Sequence, residues 1–107
     1  MLSKKERLTR TEFSRSFSVG KRHHSPLVQL VLQKTSSFHG SVVVGKKVYA
    51  KAVDRNKLRR RIYSILYTHA QQGLFPYTCI VIAKPPAKDA SYAVLKETLN
   101  KLLTEGS

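Results

Sequence analysis

The hydrophobic period of this chain switches repeatedly between two and three-to-four residues, and that switching limits the fold more than any other feature. From Leu27 to Gln33, Val28, Leu30 and Leu32 alternate with Gln29, Val31 and Gln33, the period of a strand. Ser41 to Gly45 holds the β-branched run Val42-Val43-Val44, which predicts a strand covered on both faces or nearly so. Lys46 to Lys51 either extends it or forms a loop. From about Asp54 to Ala70 the spacing becomes helical, with Leu58, Ile62, Ile65, Leu66 and His69 in one stripe. Tyr77 to Ala83 is an apolar run interrupted only by Thr78 and predicts another strand, stopped by Pro85-Pro86.

Two more helices bracket this core. Thr9-Arg10-Thr11-Glu12 has capping-box spacing, Leu8 and Phe13 stand at the staple positions, and Phe13 and Phe17 share a face. Gly20 is placed as the C-terminal stop. Ser41 follows the turn-rich Ser36-Ser37 and His39-Gly40, and Gly73 and Pro76 end the central helix and its connection. Ser91 can cap a last helix with Tyr92, Leu95, Leu99 and Leu102 on its buried side. The expected fold is α/β (α+β), a small two-layer sandwich of order α-β-β-(β)-α-β-α, with helices packed on a central sheet. A length of 107 residues fits one domain, 1–107.

Charge decides the function class. The formal net charge is +14, from 20 Lys and Arg against 6 Asp and Glu. Self-repulsion of that size in a small domain points to a polyanionic partner, nucleic acid first and an anionic membrane surface second. Half of it lies in sixteen residues. Lys46, Lys47, Lys51, Arg55, Lys57, Arg59, Arg60 and Arg61 are opposed only by Asp54, a local +7. On the helix, Arg55 and Arg59 flank the apolar stripe, Asn56, Arg60, Tyr63 and Tyr67 form the next strip, and Lys57 and Arg61 face outward. The acidic i,i+4 partners of a merely solvated face are missing. Arginine forks suit phosphate, lysines add point charge, and the affinity they give is counterion release.

Other chemistries find little support. No carboxylate pair, Ser/His/Asp set or zinc-spaced Cys/His cluster is present, so a protein-held nuclease site is not expected. The single Cys79, inside an apolar run, reads as a small buried hydrophobe. His23, His24, His39 and His69 read as structural or solvent residues, with His23-His24 beside Lys21-Arg22 a minor RNA candidate. Met1 to Arg7 has charge without a following apolar stretch, unlike a signal peptide, and no run approaches a membrane span. The chain reads as soluble and cytoplasmic.

The stretch Val44-Gly45-Lys46-Lys47-Val48-Tyr49-Ala50-Lys51-Ala52-Val53-Asp54-Arg55-Asn56-Lys57-Leu58-Arg59-Arg60-Arg61 resembles the signature of the bacterial ribonuclease P protein family. That family has a strand ending in Lys-Lys, a Lys-Ala-Val step, then Arg-Asn followed by two basic residues, which Arg55, Asn56, Arg59 and Arg60 match. Leu8, Phe13, Phe17 and Gly20 upstream, and Ile80 to Lys84 with Ser91 to Leu103 downstream, extend the resemblance over nearly the whole chain. Two departures stand out: Tyr49-Ala50 replaces the family's glycine with one extra residue, and Tyr63 replaces its final helical arginine.

The resemblance implies a non-catalytic protein subunit of a ribonucleoprotein endoribonuclease that removes the 5′ leader of precursor tRNA. Hydrolysis and Mg2+ then belong mainly to the RNA subunit, one protein serves each RNA, and no cofactor is expected on the protein. The basic helix, with Arg55, Asn56, Lys57, Arg59, Arg60 and Arg61, would bind the catalytic RNA, and Lys46, Lys47 and Lys51 would reach phosphates. Phe13 and Phe17 would line a cleft for the single-stranded leader and can pack in the core as well; Val28, Leu30 and Leu32 of the first strand are mainly core, with Val28 and Leu30 also expected to floor the cleft. Composition alone allows a small structural RNA-binding protein of ribosomal type; the Phe pair before a glycine and the Lys-Lys…Arg-Asn…Arg-Arg order favour ribonuclease P. A DNA-binding helix-turn-helix is disfavoured because strands bracket the basic helix.

Overall fold

The computed structural model describes residues 10–35, 37–71 and 77–106. Its elements run α1 (Arg10–Val19), β1 (Lys21–His24), β2 (Val28–Lys34), β3 (His39–Val43), α2 (Ala52–Gln71), β4 (Tyr77–Ala83), a 3-10 turn (Pro85–Asp89) and α3 (Tyr92–Gly106). The strands form one sheet of order β1-β2-β4-β3. β1 and β4 run antiparallel to β2, whereas β3 and β4 are parallel. Parallel neighbours need a long crossover, and α2 supplies it.

The alternation in β2 sorts its side chains cleanly. Val28, Leu30 and Leu32 stand opposite Ala83, Val81 and Cys79 of β4. All six belong to the main core, with Leu58, Ile62, Ile65 and Leu66 of α2 and Leu95, Leu99 and Leu103 of α3. The other β2 row, Gln29, Val31 and Gln33, stands opposite Ile82, Ile80 and Thr78 and faces α1. β4 is central and has a covered row on each side, which accounts for its nearly unbroken apolar run.

β1 is an unpredicted strand; it precedes the two expected before α2, where the optional strand was expected after them. Lys21-Arg22-His23-His24 contains no apolar residue, so no periodicity marks it. The turn after it makes the strand. Ser25 N donates to Val28 O (2.9 Å), and Val28 N donates to Ser25 Oγ (3.0 Å), folding the chain back into a hairpin. Cationic side chains on this edge also oppose pairing with another sheet.

Three further expectations change. Val42-Val43-Val44 lies at the β3 edge and is covered on one side only: Val42 and Val44 are buried, but Val43 is 37% exposed on the α1 side. Lys46 to Lys51 does not extend the strand. Val48 N and Tyr49 N both donate to Gly45 O (3.1 and 3.4 Å), forming a turn that buries Val48 and leaves Lys46 and Lys47 outside. In α3, Tyr92 is exposed and Leu103 is the buried residue of the last turn, with Leu102 half-buried. The stripe is Leu95, Leu99 and Leu103, an i,i+4 row. The Ser91 cap is present, with Val94 N donating to Ser91 Oγ at 3.2 Å. The Thr9 cap, the Leu8 staple and the Gly73-Pro76 stop lie outside the described residues.

α1 sits alone on the second face. Phe13, Ser16, Phe17 and Gly20 are three and four apart and form its inner side. Ser16 is buried and its Oγ donates to Gln33 Oε1 at 2.8 Å. Gly20 N donates to Ser16 O at 2.8 Å, ending the helix. A Cβ on Gly20 would lie 2.5 Å from Val31 Cγ1 and 2.7 Å from Ser16 O. Gly20 therefore serves the close approach of α1 to β2.

Candidate nucleic-acid interface

The basic segment is held by its own backbone. Arg55 Nη1 donates to Tyr49 O (3.1 Å) and Ala50 O (2.7 Å), and Arg55 N donates to Lys51 O (3.1 Å). These bonds fasten the Gly45–Ala50 turn to the start of α2, so Lys46, Lys47 and Lys51 project from one fixed corner. Tyr49 adds a second tie: its hydroxyl donates to Lys88 O at 3.2 Å, and Lys88 Nζ lies 5.7 Å from its ring centroid. The chain thus has a braced turn at Tyr49-Ala50.

Along α2, Arg59 Nη2 donates to Asn56 Oδ1 at 2.6 Å. Arg59 Nε is buried and has no hydrogen-bond partner. The asparagine amide therefore fixes one edge of the guanidinium. Tyr63 continues this row by one turn, and its hydroxyl accepts from Val42 N of β3 at 3.3 Å. The Asn56–Arg59–Tyr63 row consequently runs along the side of α2 next to β3. Tyr63 is partly buried against the core, so this row ends in a packing residue. Asn56, Lys57, Arg60 and Arg61 are exposed, as are Lys46, Lys47 and Lys51; Arg55 and Arg59 are half-buried beside the apolar stripe. All nine predicted polar site residues lie on this corner and on α2.

The second surface is the uncovered part of the α1 face. α1 forms one wall. Beyond it the sheet offers Gln29 of β2, Ile82 of β4, and Ser41 and Val43 of β3, all partly or fully exposed and on that face by register. With α1 standing above it, this uncovered strip forms a one-sided groove with an apolar and amide floor. Phe13 and Phe17 of the α1 wall, both half-buried, lie with ring centroids 5.8 Å apart and planes inclined 15°. Val28 and Leu30 are not in it. Both are 0% exposed and face α2 and α3, because a period of two places them opposite the row that α1 covers. The β2 residues of the groove face are Gln29, Val31 and Gln33. Their alternation with Val28, Leu30 and Leu32 was the signal for this.

Arg22 was also missed as a groove residue. Its Nη2 donates to Phe17 O at 3.0 Å, and its guanidinium carbon lies 4.3 Å from the Phe17 ring centroid. Only the hairpin and the Gly20 turn bring it there. The histidines divide: His69 hydrogen-bonds Asn100 of α3, and His23 lies beneath Gly106, with its Nε2 buried and unpartnered. Burial pushes the Cys79 thiol far up from its ordinary range, which leaves it un-ionised. No described helix is long and apolar enough to cross a membrane.

Comparison with known proteins agrees with this geometry. A family model described as Ribonuclease P matches residues 2–106. The ribonuclease P protein component of Xylella fastidiosa is 33% identical over 95 residues, covering 88% of this chain and 70% of that protein. The ribonuclease P protein component of a Synechocystis species is 30% identical over 98 residues, covering 88% and 78%. The structure of Staphylococcus aureus RNase P protein superimposes with a TM-score of 0.82 at 26% identity, over 92% of this chain and 93% of that one. The braced cationic corner, the Asn56–Arg59 row and the Phe-walled groove therefore belong to a member of the ribonuclease P protein family.

Proposed function

We propose that this protein binds the catalytic RNA of ribonuclease P through the Lys46–Arg61 surface and holds the single-stranded 5′ leader of precursor tRNA in the α1 groove. The observation that carries this reading is the presence of two unlike RNA-suited surfaces on one small scaffold. A cationic, guanidinium-rich helix suits the dense phosphates of a folded RNA. A groove with stacked aromatic rings suits a strand of variable sequence, because every base has a π-face.

The protein's part is binding and positioning. Phosphodiester hydrolysis and its Mg2+ belong to the RNA subunit in this reading. Among the described residues no three of His, Cys, Asp and Glu come together as metal ligands, and no step is assigned to a protein-held ion. One protein serves each RNA in the cytoplasm, and the leader contact favours precursor over mature tRNA.

Reconstitution tests this. The chain, added to a bacterial ribonuclease P RNA at low magnesium, should restore cleavage of precursor tRNA at the mature 5′ end, and the protein alone should cleave nothing. Charge reversal of Arg59 and Arg60 to Glu should weaken assembly by about a hundredfold and flatten its salt dependence. Wild-type assembly in that double variant would remove α2 from the RNA interface. Failure to stimulate any ribonuclease P RNA would favour a structural RNA-binding role of ribosomal type.

A further inference from the structure

We infer that Arg22 is a phosphate contact for the single strand in the groove, ordered in advance by Phe17; this rests on the groove reading above. Arg22 stands opposite Val31 in the β1–β2 register, so its side chain leaves the sheet on the α1 side. There it makes two contacts. Nη2 donates to Phe17 O, and the guanidinium lies over the Phe17 ring at 4.3 Å. That carbonyl belongs to the last turn of α1 (Arg10–Val19), where it lacks a helical partner and where positive charge is favoured.

These contacts use one N–H and one face of a group with five N–H donors. The residue is exposed, and no carboxylate among the described residues pairs with it. A cation with a free donor edge therefore stands on the α1 face of the sheet, against the Phe17 ring. A base held beside the Phe13–Phe17 pair brings its flanking phosphodiester to this edge. The stacked guanidinium is already fixed, so less side-chain freedom is lost when its donors meet the phosphate oxygens. A lysine here would keep the charge but lose both the planar stack and the fork. Arg22 thus links the two chemistries of the groove, stacking and charge.

The test uses the full chain assembled with ribonuclease P RNA, binding a precursor tRNA with its leader and, separately, mature tRNA, across a salt series. Arg22→Gln should weaken precursor binding about five- to tenfold at low salt and leave mature tRNA within twofold. It should lower the log K against log salt slope by about 0.7, the share of one single-strand phosphate. Arg22→Lys should restore the slope and only part of the affinity. Equal losses for both tRNAs, or a wild-type slope and wild-type preference in Arg22→Gln, would overturn the assignment. Rescue of the slope by lysine separates charge from folding, since a folding defect would move mature tRNA binding as well. If the unsubstituted protein shows no preference for precursor, the groove reading fails and Arg22 fails with it; if the preference survives in Arg22→Gln, only the role of Arg22 is lost.

Discussion

The two faces of the sheet are built from the same strands and have opposite fates. On one, Val28, Leu30 and Leu32 meet two long helices, α2 and α3, and are sealed from water. On the other, the row Gln29, Val31 and Gln33 faces only α1, a ten-residue helix that packs on β2 and β4 and leaves the Gln29 end uncovered. The closed face uses apolar side chains for stability. The open face mixes amides, aromatics and a stacked arginine, and leaves Val43 37% exposed. In so small a domain, the strand-binding role proposed above would use the face that stability does not need.

The largest expected effect tests that division directly. Leu30→Ala should cost about 3 kcal/mol in urea denaturation, since Leu30 is fully buried and its neighbours are held by three elements. Gln29→Ala, next in sequence and on the open face, should cost about 0.5 kcal/mol or less. Equal costs would mean that the two faces share one core.

Gly20→Ala attacks the seam between α1 and the sheet. The added methyl would meet Val31 Cγ1 and the backbone oxygen of Ser16, so α1 must shift. The cost should be about 1–3 kcal/mol and is capped by the docking energy of α1 itself. Amide exchange should accelerate in α1 while β2 and β4 keep their protection. Uniform acceleration would show that α1 is integral to the global unfolding unit.

How much of this could be read from the sequence follows the same division. Wherever burial imposes a period, the elements were legible: β2, β4 and α2 were placed within about two residues, as was the α2 stripe Leu58, Ile62, Ile65, Leu66. The charge cluster was legible because its residues are local in the chain. What escaped depends on pairing. β1 has no apolar residue and is a strand only through the Ser25 turn. Val28 and Leu30 were assigned to the groove because hydrophobicity marks a residue as inside without saying which side of the sheet it occupies. Arg22 meets Phe17 only because the Ser25 turn pairs β1 with β2 and Gly20 lets α1 pack close on that sheet.

Phe17→Ala should act on the open face alone. It removes one of the stacked rings and the support under Arg22. Affinity for precursor tRNA should fall by about 1–2 kcal/mol, the worth of one stacked base, with mature tRNA binding nearly unchanged. Equal losses would indicate that α1 has detached, and the Gly20→Ala exchange pattern would then reappear.

The smallest effect belongs to the closed side and to pH. His69 lies in the last turn of α2 and bonds Asn100 across the α2–α3 contact. Burial lowers its pKa from the ordinary value of 6.5, and the Asn100 bond opposes that only in part. The folded protein therefore resists protonation at His69 more than the unfolded chain does. As pH falls through 6.5, the unfolded chain takes up the proton first, and stability declines toward the lowered folded pKa, below which this contribution levels off. Above about pH 7.5 both states are neutral at this site and the contribution is flat. The step should be small, because the imidazole keeps partial access to water. His69→Gln, which preserves hydrogen-bonding capacity toward Asn100 but cannot titrate, should remove it from a series of urea midpoints between about pH 5 and 8. A step of unchanged size in that variant would assign the pH sensitivity to another residue and leave the α2–α3 seam without a titrating group.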